Sequence, residues 1–73
     1  MRRVQPRDQF ARNVRRARTK KGWSQEHLGE VCGLHRTEIS LLERAGRDPR
    51  LETIVKIARA LDIPASELLT GIR

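Results

Sequence analysis

Apolar side chains recur at intervals of three and four residues in five stretches of this chain, and polar residues fill the positions between them. This spacing is typical of the buried stripe of an amphipathic helix. Gly, Pro and Asp residues separate the stretches, and no strand is needed to account for the pattern. It predicts an all-α fold with five helices, at Pro6–Lys20, Gln25–Cys32, Arg36–Arg44, Leu51–Leu61 and Ala65–Thr70.

Local signals indicate where these helices begin and end. Pro6 suits the first position of a helix, and Ser24 is a good N-cap for the second helix. Gly22 is expected to end the first helix, and Gly33 the second in the left-handed conformation. The predicted core is Phe10, Val14, Trp23, Leu28, Ile39, Leu42, Ile54, Ile57, Leu61 and Leu68, with Val31, Cys32, Leu51 and Ala58 also facing inward.

The second and third predicted helices lie in "QEHLGEVCGLHRTEIS", residues 25–40, and leave almost no room for a connection. Helices joined by so short a turn must cross steeply, and a large side chain at the crossing would push them apart. Gly29 keeps this contact small, Gly33 makes the turn, and Ile39 packs back. The spacing is the steric pattern of a helix-turn-helix, whose second helix projects far enough to enter a DNA major groove.

Charge is unevenly distributed along the chain. The 73 residues are enough for one domain and carry a formal net charge of +7. Residues 1–21 hold nine Lys and Arg against one acid, Asp8, whereas residues 22–73 hold seven basic and eight acidic residues. We therefore predict a single domain over residues 1–73 with a flexible basic arm at residues 1–5. The excess favours nucleic acid as partner over an acidic protein or anionic lipid.

Other classes of protein lack their sequence features. No apolar run approaches a membrane span and no apolar signal core follows the N-terminus, and a single cysteine is typical of a reducing cytoplasm. No catalytic constellation or phosphate loop is arranged for an enzyme. His27, Cys32 and His35 lack a fourth ligand at matching spacing, which argues against zinc. We expect no enzyme activity, no metal, no cofactor and no small-molecule ligand.

The segment "GWSQEHLGEVCGLHRTEISLLERAGRDPRLETIVKIARALDIPASELL" resembles the Cro/repressor-type (XRE) helix-turn-helix family, and the resemblance covers about residues 8–70. Within that family, "GLHRTEIS" and "ALDIPAS" are similar to the controller proteins of restriction–modification systems. The resemblance implies a compact five-helix bundle of the lambda-repressor-like type, with the helix-turn-helix at helices 2 and 3.

The resemblance also implies roles for individual residues. Ser24, Gln25 and His35 are expected to lie at the DNA, and Gln25 is expected to meet a phosphate. Arg18 and Glu43 are expected to form a structural ion pair. His35 stands where the family has a capping Ser, Thr or Asp, so the third helix is expected to rely on Glu38 or on bound phosphate. The base-reading face would comprise Arg36, Thr37, Ser40, Leu41 and Arg44, and the phosphate contacts Arg47 and Arg50.

Two of these assignments leave alternatives open. Leu41, where relatives often carry a polar reader, would touch a thymine methyl or simply pack. Ala45 replaces the usual Gly after "ER", so the third helix is expected to extend by one residue and move Arg47.

The function implied is a cytoplasmic, sequence-specific transcriptional regulator that binds double-stranded DNA as a homodimer on a two-fold symmetric operator. The alternative is an antitoxin-like or other protein-interaction module whose DNA binding is secondary. Four residues near the C-terminus remain after the core is assigned, and we predict that they form the dimer contact: Ile63, Pro64, Leu69 and Ile72. Alternatively, Ile63 and Leu69 close the monomer core and Ile72 frays.

Overall fold

The five predicted helices are all present in the computed structural model, which describes residues 4–73 and contains no strand within them. The helices are α1 (Pro6–Lys20), α2 (Gln25–Cys32), α3 (Arg36–Glu43), α4 (Leu51–Leu61) and α5 (Ala65–Leu68). The prediction of an all-α, five-helix fold is confirmed. α3 ends one residue earlier than predicted and α5 two residues earlier, and residues 1–3 of the predicted arm lie outside the described residues.

One apolar core receives side chains from every helix. α1 packs against α3, α4 and α5, while α2 packs against α3 and α4. Burial of apolar side chains on this scale is the main favourable term in folding. The largest fully buried side chains are Phe10, Val14, Leu28, Ile39, Leu42, Ile57, Leu61 and Leu68. Trp23 and Ile54 are half-buried and pack against this core from its edge.

Two residues expected to face inward are exposed. Val31 on α2 is 48% exposed, because the buried side of that short helix follows Leu28 and Gly29 instead. Leu51 is 76% exposed because it is the first residue of α4, one turn before Ile54 reaches the core. The predictions for both side chains were wrong.

Four helices end in the same backbone arrangement. A residue with positive φ follows each of them: Gly22 after α1, Gly33 after α2, Ala45 after α3 and Asp62 after α4. After α3, the Ala45 N–H donates to the Leu42 carbonyl at 3.1 Å and the Gly46 N–H donates to the Leu41 carbonyl at 2.9 Å. This pair of bonds is the Schellman motif. Ala45 therefore ends α3 as a glycine would, and the expected extension of α3 was wrong.

Asn13 is a buried polar residue in the middle of α1. Its Nδ2 donates to the carbonyls of Leu68 at 2.9 Å and Thr70 at 2.8 Å, while Gln9 donates to its Oδ1 at 3.0 Å. These bonds attach the end of α5 to the middle of α1, and the sequence alone gave no indication of them.

Candidate nucleic-acid interface

The contact between α2 and α3 depends on Gly29. A Cβ atom on Gly29 would lie 2.6 Å from the backbone oxygen of Leu34, which is closer than real Cβ contacts come. The Leu34 N–H also donates to the Gly29 carbonyl at 2.8 Å, so the turn folds directly onto the end of α2. The small residue therefore permits the close approach expected from the sequence, and α3 begins at once on the far side of the turn.

The outward side of α3 forms a polar concavity with the start of α2. It has a volume of about 410 Å³ and is lined by Gln25, Arg36, Thr37, Ser40 and Arg44. Arg36, Thr37 and Arg44 are exposed, while Ile39 and Leu42 on the opposite side are buried. Neither Arg36 nor Arg44 has a carboxylate within 4.0 Å among residues 4–73. Both guanidinium groups are therefore available to a ligand.

Leu41 does not share this concavity with its expected neighbours. Its side chain is half-buried and lies so close to Gly46 that a Cβ atom there would overlap it. Leu41 therefore packs against the end of α3 in this structure, and its contact with a thymine methyl stays a prediction.

Glu43 connects three elements below the concavity. Arg18 on α1 donates from Nε to Glu43 Oε2 at 2.6 Å and from Nη2 to Oε1 at 2.9 Å, forming the expected ion pair. Its Nη1 donates to the Trp23 carbonyl at 2.7 Å. The hydrogen bond to Glu43 raises the pKa of Arg18. Since the two side chains are only 11% and 4% exposed, the pair holds α1 against the end of α3 with little screening by water.

The first turn of α2 is attached to the same carboxylate. Gln25 Nε2 donates to Glu43 Oε1 at 3.2 Å, so the amide predicted to meet a phosphate has a protein partner in this structure. Ser24 is the expected N-cap, since its Oγ accepts from the His27 N–H at 3.0 Å. The groups left for an anion are the Ser24 hydroxyl hydrogen and the N–H groups at the positive end of α2.

The expected phosphate-contacting arginines after α3 differ from each other. Arg47 Nη1 lies 3.0 Å from Glu38 Oε2, whereas Arg50 is 85% exposed and lies 4.0 Å from the Glu52 carboxylate. Glu38 thus pairs with Arg47 and does not support the start of α3. His35 caps α3 without a side-chain bond to its backbone, and its Nδ1 lies 3.3 Å from Thr37 Oγ1.

The four residues predicted to form the dimer contact divide into two pairs. Ile63 and Ile72 are partly buried and pack against the core. Pro64 is exposed, and Leu69 is 42% exposed at the end of α5. Leu69 is therefore the large apolar side chain of this group that faces outward.

The part of the chain that the structure describes contains no metal site and no membrane-spanning helix. Within residues 4–73 no three His, Cys, Asp or Glu side chains come together as a metal site. Burial raises the pKa of the Cys32 thiol, and His27 packs edge-on against the Trp23 ring at 4.7 Å. None of the described helices combines the length and the apolar character needed to cross a bilayer.

Known proteins are similar to most of the chain. Residues 14–68 match the helix-turn-helix family. A hypothetical transcription factor of Neisseria meningitidis is 47% identical over 60 residues, which cover 82% of this chain and 57% of that protein. The control protein C.SmaI of Serratia marcescens is 44% identical over 61 residues, which cover 84% of this chain and 73% of that protein.

Solved structures share the arrangement of helices. The restriction-modification controller protein C.AhdI from Aeromonas hydrophila superposes with a TM-score of 0.83 at 42% identity, over 85% of this chain and 94% of that one. The P22 c2 repressor in complex with a synthetic operator superposes with a TM-score of 0.77 at 29% identity, also over 85% and 94%. The chain therefore belongs to the helix-turn-helix family of DNA-binding transcriptional regulators.

Proposed function

We propose that this chain acts as a homodimer on a two-fold symmetric DNA operator and inserts α3 of each subunit into the major groove. The observation that carries the proposal is the outer face of α3. Arg36, Thr37, Ser40 and Arg44 line one concavity with Gln25, and the two arginines there have no carboxylate partner within residues 4–73.

Arg36 is the residue best suited to read a base. It is exposed at the first position of α3, where helix-turn-helix proteins place their base contacts. A guanidinium group can bond the O6 and N7 atoms of guanine together. Thr37, the next residue, offers a hydroxyl hydrogen to a base or phosphate and a methyl group to thymine.

Phosphate contacts surround these base contacts. The first turn of α2, at Ser24 and Gln25, presents N–H groups and a hydroxyl at one end. Arg50 is almost fully exposed at the other end. Arg47 joins it by exchanging Glu38 for phosphate, and Arg44 lines the concavity that contains Gln25. Such contacts position a protein on DNA without reading its sequence.

The biological role that we propose is that of a controller protein in a restriction–modification system. It is supported by the similarity to C.SmaI and C.AhdI, whose names state that role for those proteins. The similarity to C.AhdI extends over nearly all of that chain.

Selection from a pool of randomised duplexes tests the DNA-binding proposal. We expect the chain to enrich a motif with two inverted half-sites whose centres are about 34 Å apart, one turn of DNA. Enrichment of a single unpaired half-site would contradict the homodimer, and no enrichment at all would contradict sequence-specific binding. In the latter case, capture of a protein partner from the source cell would favour the interaction module instead.

A further inference from the structure

The outward face of α1 is basic along its length. Arg12, Arg15, Arg16 and Lys20 are all exposed, and none has a carboxylate within 4.0 Å among the described residues. Arg12 and Arg16, and Arg16 and Lys20, are four residues apart and therefore neighbours on the helix surface, where like charges are destabilising. These mutually repelling charges therefore lie on a face of α1 that does not pack against the core.

One edge of this face borders the end of α3. Arg12 and Arg15 line a concavity of about 230 Å³ together with Asp8 and Ala11 of α1 and with Glu43, Arg44 and Ala45. Glu43 is already engaged by Arg18 and Gln25. Asp8 is therefore the remaining carboxylate there, and arginines outnumber it.

Arg44 belongs to both concavities. It lines the one between α1 and α3 and also the one with Arg36 and Thr37 on the proposed base-reading face. Arg44 therefore connects the basic side chains on the outer face of α3 with Arg12 and Arg15 on α1.

The other edge of the basic face borders a different groove from the one beside α3. Arg16 and Lys20 line a different groove, which they share with Leu61, Ile63 and Glu67 from the end of α4 and from α5. Basic residues on α1 thus divide into Arg12 and Arg15, which adjoin the proposed DNA-binding face, and Arg16 and Lys20, which adjoin the opposite side.

We propose that Arg12 and Arg15 bind phosphates of the DNA backbone next to the base pairs that α3 reads. Each DNA strand carries a phosphate about every 3.4 Å along the helix axis, so a backbone that passes Arg44 offers the next phosphates to the neighbouring guanidinium groups. Binding there also removes the repulsion between α1 side chains. The proposal rests on the function proposed above and adds two contacts per subunit to it.

The test compares two variants with equal loss of charge. In Arg12→Gln/Arg15→Gln the proposed contacts are removed, and in the control Arg16→Gln/Lys20→Gln two charges are removed from the other edge of α1. Affinity of each protein is measured from about 50 to 200 mM salt, on the duplex selected by the wild-type chain and on a duplex of random sequence. Ethylation of single phosphates in the selected duplex then identifies which phosphates each protein needs.

We expect the slope of log affinity against log salt to fall by about 0.9 per lost contact, or about 3.6 for a dimer, in Arg12→Gln/Arg15→Gln. The loss should be equal on selected and random duplexes, and interference should disappear at specific phosphates. The control should keep the wild-type interference pattern and lose clearly less slope.

Equal changes in both variants would overturn the proposal and assign the effect to net charge. An unchanged slope in Arg12→Gln/Arg15→Gln would also overturn it and leave the face to a partner other than DNA. Because these side chains are exposed, both variants should retain the thermal stability of the wild type. If the proposed function itself were wrong, the selection experiment with the wild-type chain would yield no motif.

Discussion

Glu43 accepts two hydrogen bonds from the Arg18 guanidinium group, from Nε at 2.6 Å and from Nη2 at 2.9 Å. The same carboxylate accepts from Gln25 at the start of α2. One residue at the end of α3 therefore fixes the orientation of α1 and of the α2 N-terminus, and both of these adjoin the proposed DNA-binding surface.

Replacement of this carboxylate should destabilise the fold without changing base preference. In Glu43→Gln one carboxylate oxygen is replaced by an amide NH2 group, which faces the N–H donors of Arg18. The partly buried guanidinium group also loses its counter-charge. We expect a loss of about 2–3 kcal/mol in the free energy of unfolding, measured with urea. The control is Glu52→Gln, whose side chain is 70% exposed and 4.0 Å from Arg50; it should change stability by less than about 0.5 kcal/mol.

A double-mutant cycle shows whether the effect belongs to the pair. Arg18→Met combined with Glu43→Gln should lose less than the sum of the two single losses, because each single change already breaks the same interaction. Additive losses would mean that the two residues act independently of each other.

Asn13 should be as important for α5 as any apolar contact. Asn13→Asp replaces a donor to two carbonyls, those of Leu68 and Thr70, with an acceptor. We expect a loss of roughly 1–3 kcal/mol in stability, together with faster hydrogen exchange of the α5 amides than of the α2 amides. Gln9→Ala, which leaves both donated bonds in place, is the matched control. Uniform acceleration over all helices would contradict a local role for Asn13.

Two substitutions at helix ends should have opposite signs. Ala45 and Gly33 both have positive φ, 57° and 75°. A left-handed conformation costs a residue with a Cβ atom about 1–2 kcal/mol, and added chain entropy in the unfolded state offsets part of the gain from glycine. Ala45→Gly should therefore stabilise the protein by about 0.5–1 kcal/mol.

Gly33→Ala should destabilise the protein by a similar or slightly larger amount. A Cβ atom at residue 33 meets nothing within 4 Å, so only the left-handed backbone conformation opposes the substitution. Thermal unfolding of both variants checks the pair. A lower melting temperature for Ala45→Gly would mean that the left-handed backbone at residue 45 does not destabilise the wild-type protein.

The dimer contact should depend on Leu69. This side chain is 42% exposed at the end of α5, so Leu69→Glu leaves the core intact. We expect a folded monomer in analytical ultracentrifugation that binds a half-site weakly. Val31→Glu, on a similarly exposed residue of α2, should remain dimeric. A dimeric Leu69→Glu protein with full operator affinity would place the interface elsewhere.

Local signals explain why the helices could be predicted from the sequence. Pro6, Ser24 and Gly33 act on the backbone immediately beside them, and their effects depend little on distant residues. Leu51 shows the limit of periodicity, because a stripe of apolar residues does not reveal where the core beneath it ends. Ala45 shows another limit, since nothing in an alanine indicates a left-handed backbone.

Long-range polar contacts were less predictable. Asn13 lies between Arg12 and Val14 in sequence, and the carbonyls to which it donates are 55 and 57 residues away. The Arg18–Glu43 pair was expected only from the family resemblance. The bond from Gln25 to Glu43 was not expected, because nothing local to either residue indicates that their side chains meet.

Base substitution in the selected duplex tests the central claim most directly. Each base pair of one half-site is replaced in turn, and affinities are measured for the wild-type chain and for Arg36→Ala. We predict that one substitution, at a guanine, costs the wild type about 1–3 kcal/mol and costs Arg36→Ala almost nothing. If Arg36→Ala instead loses the same affinity on the selected and on the random duplex and keeps every base preference, Arg36 binds the backbone and α3 does not read the sequence through it.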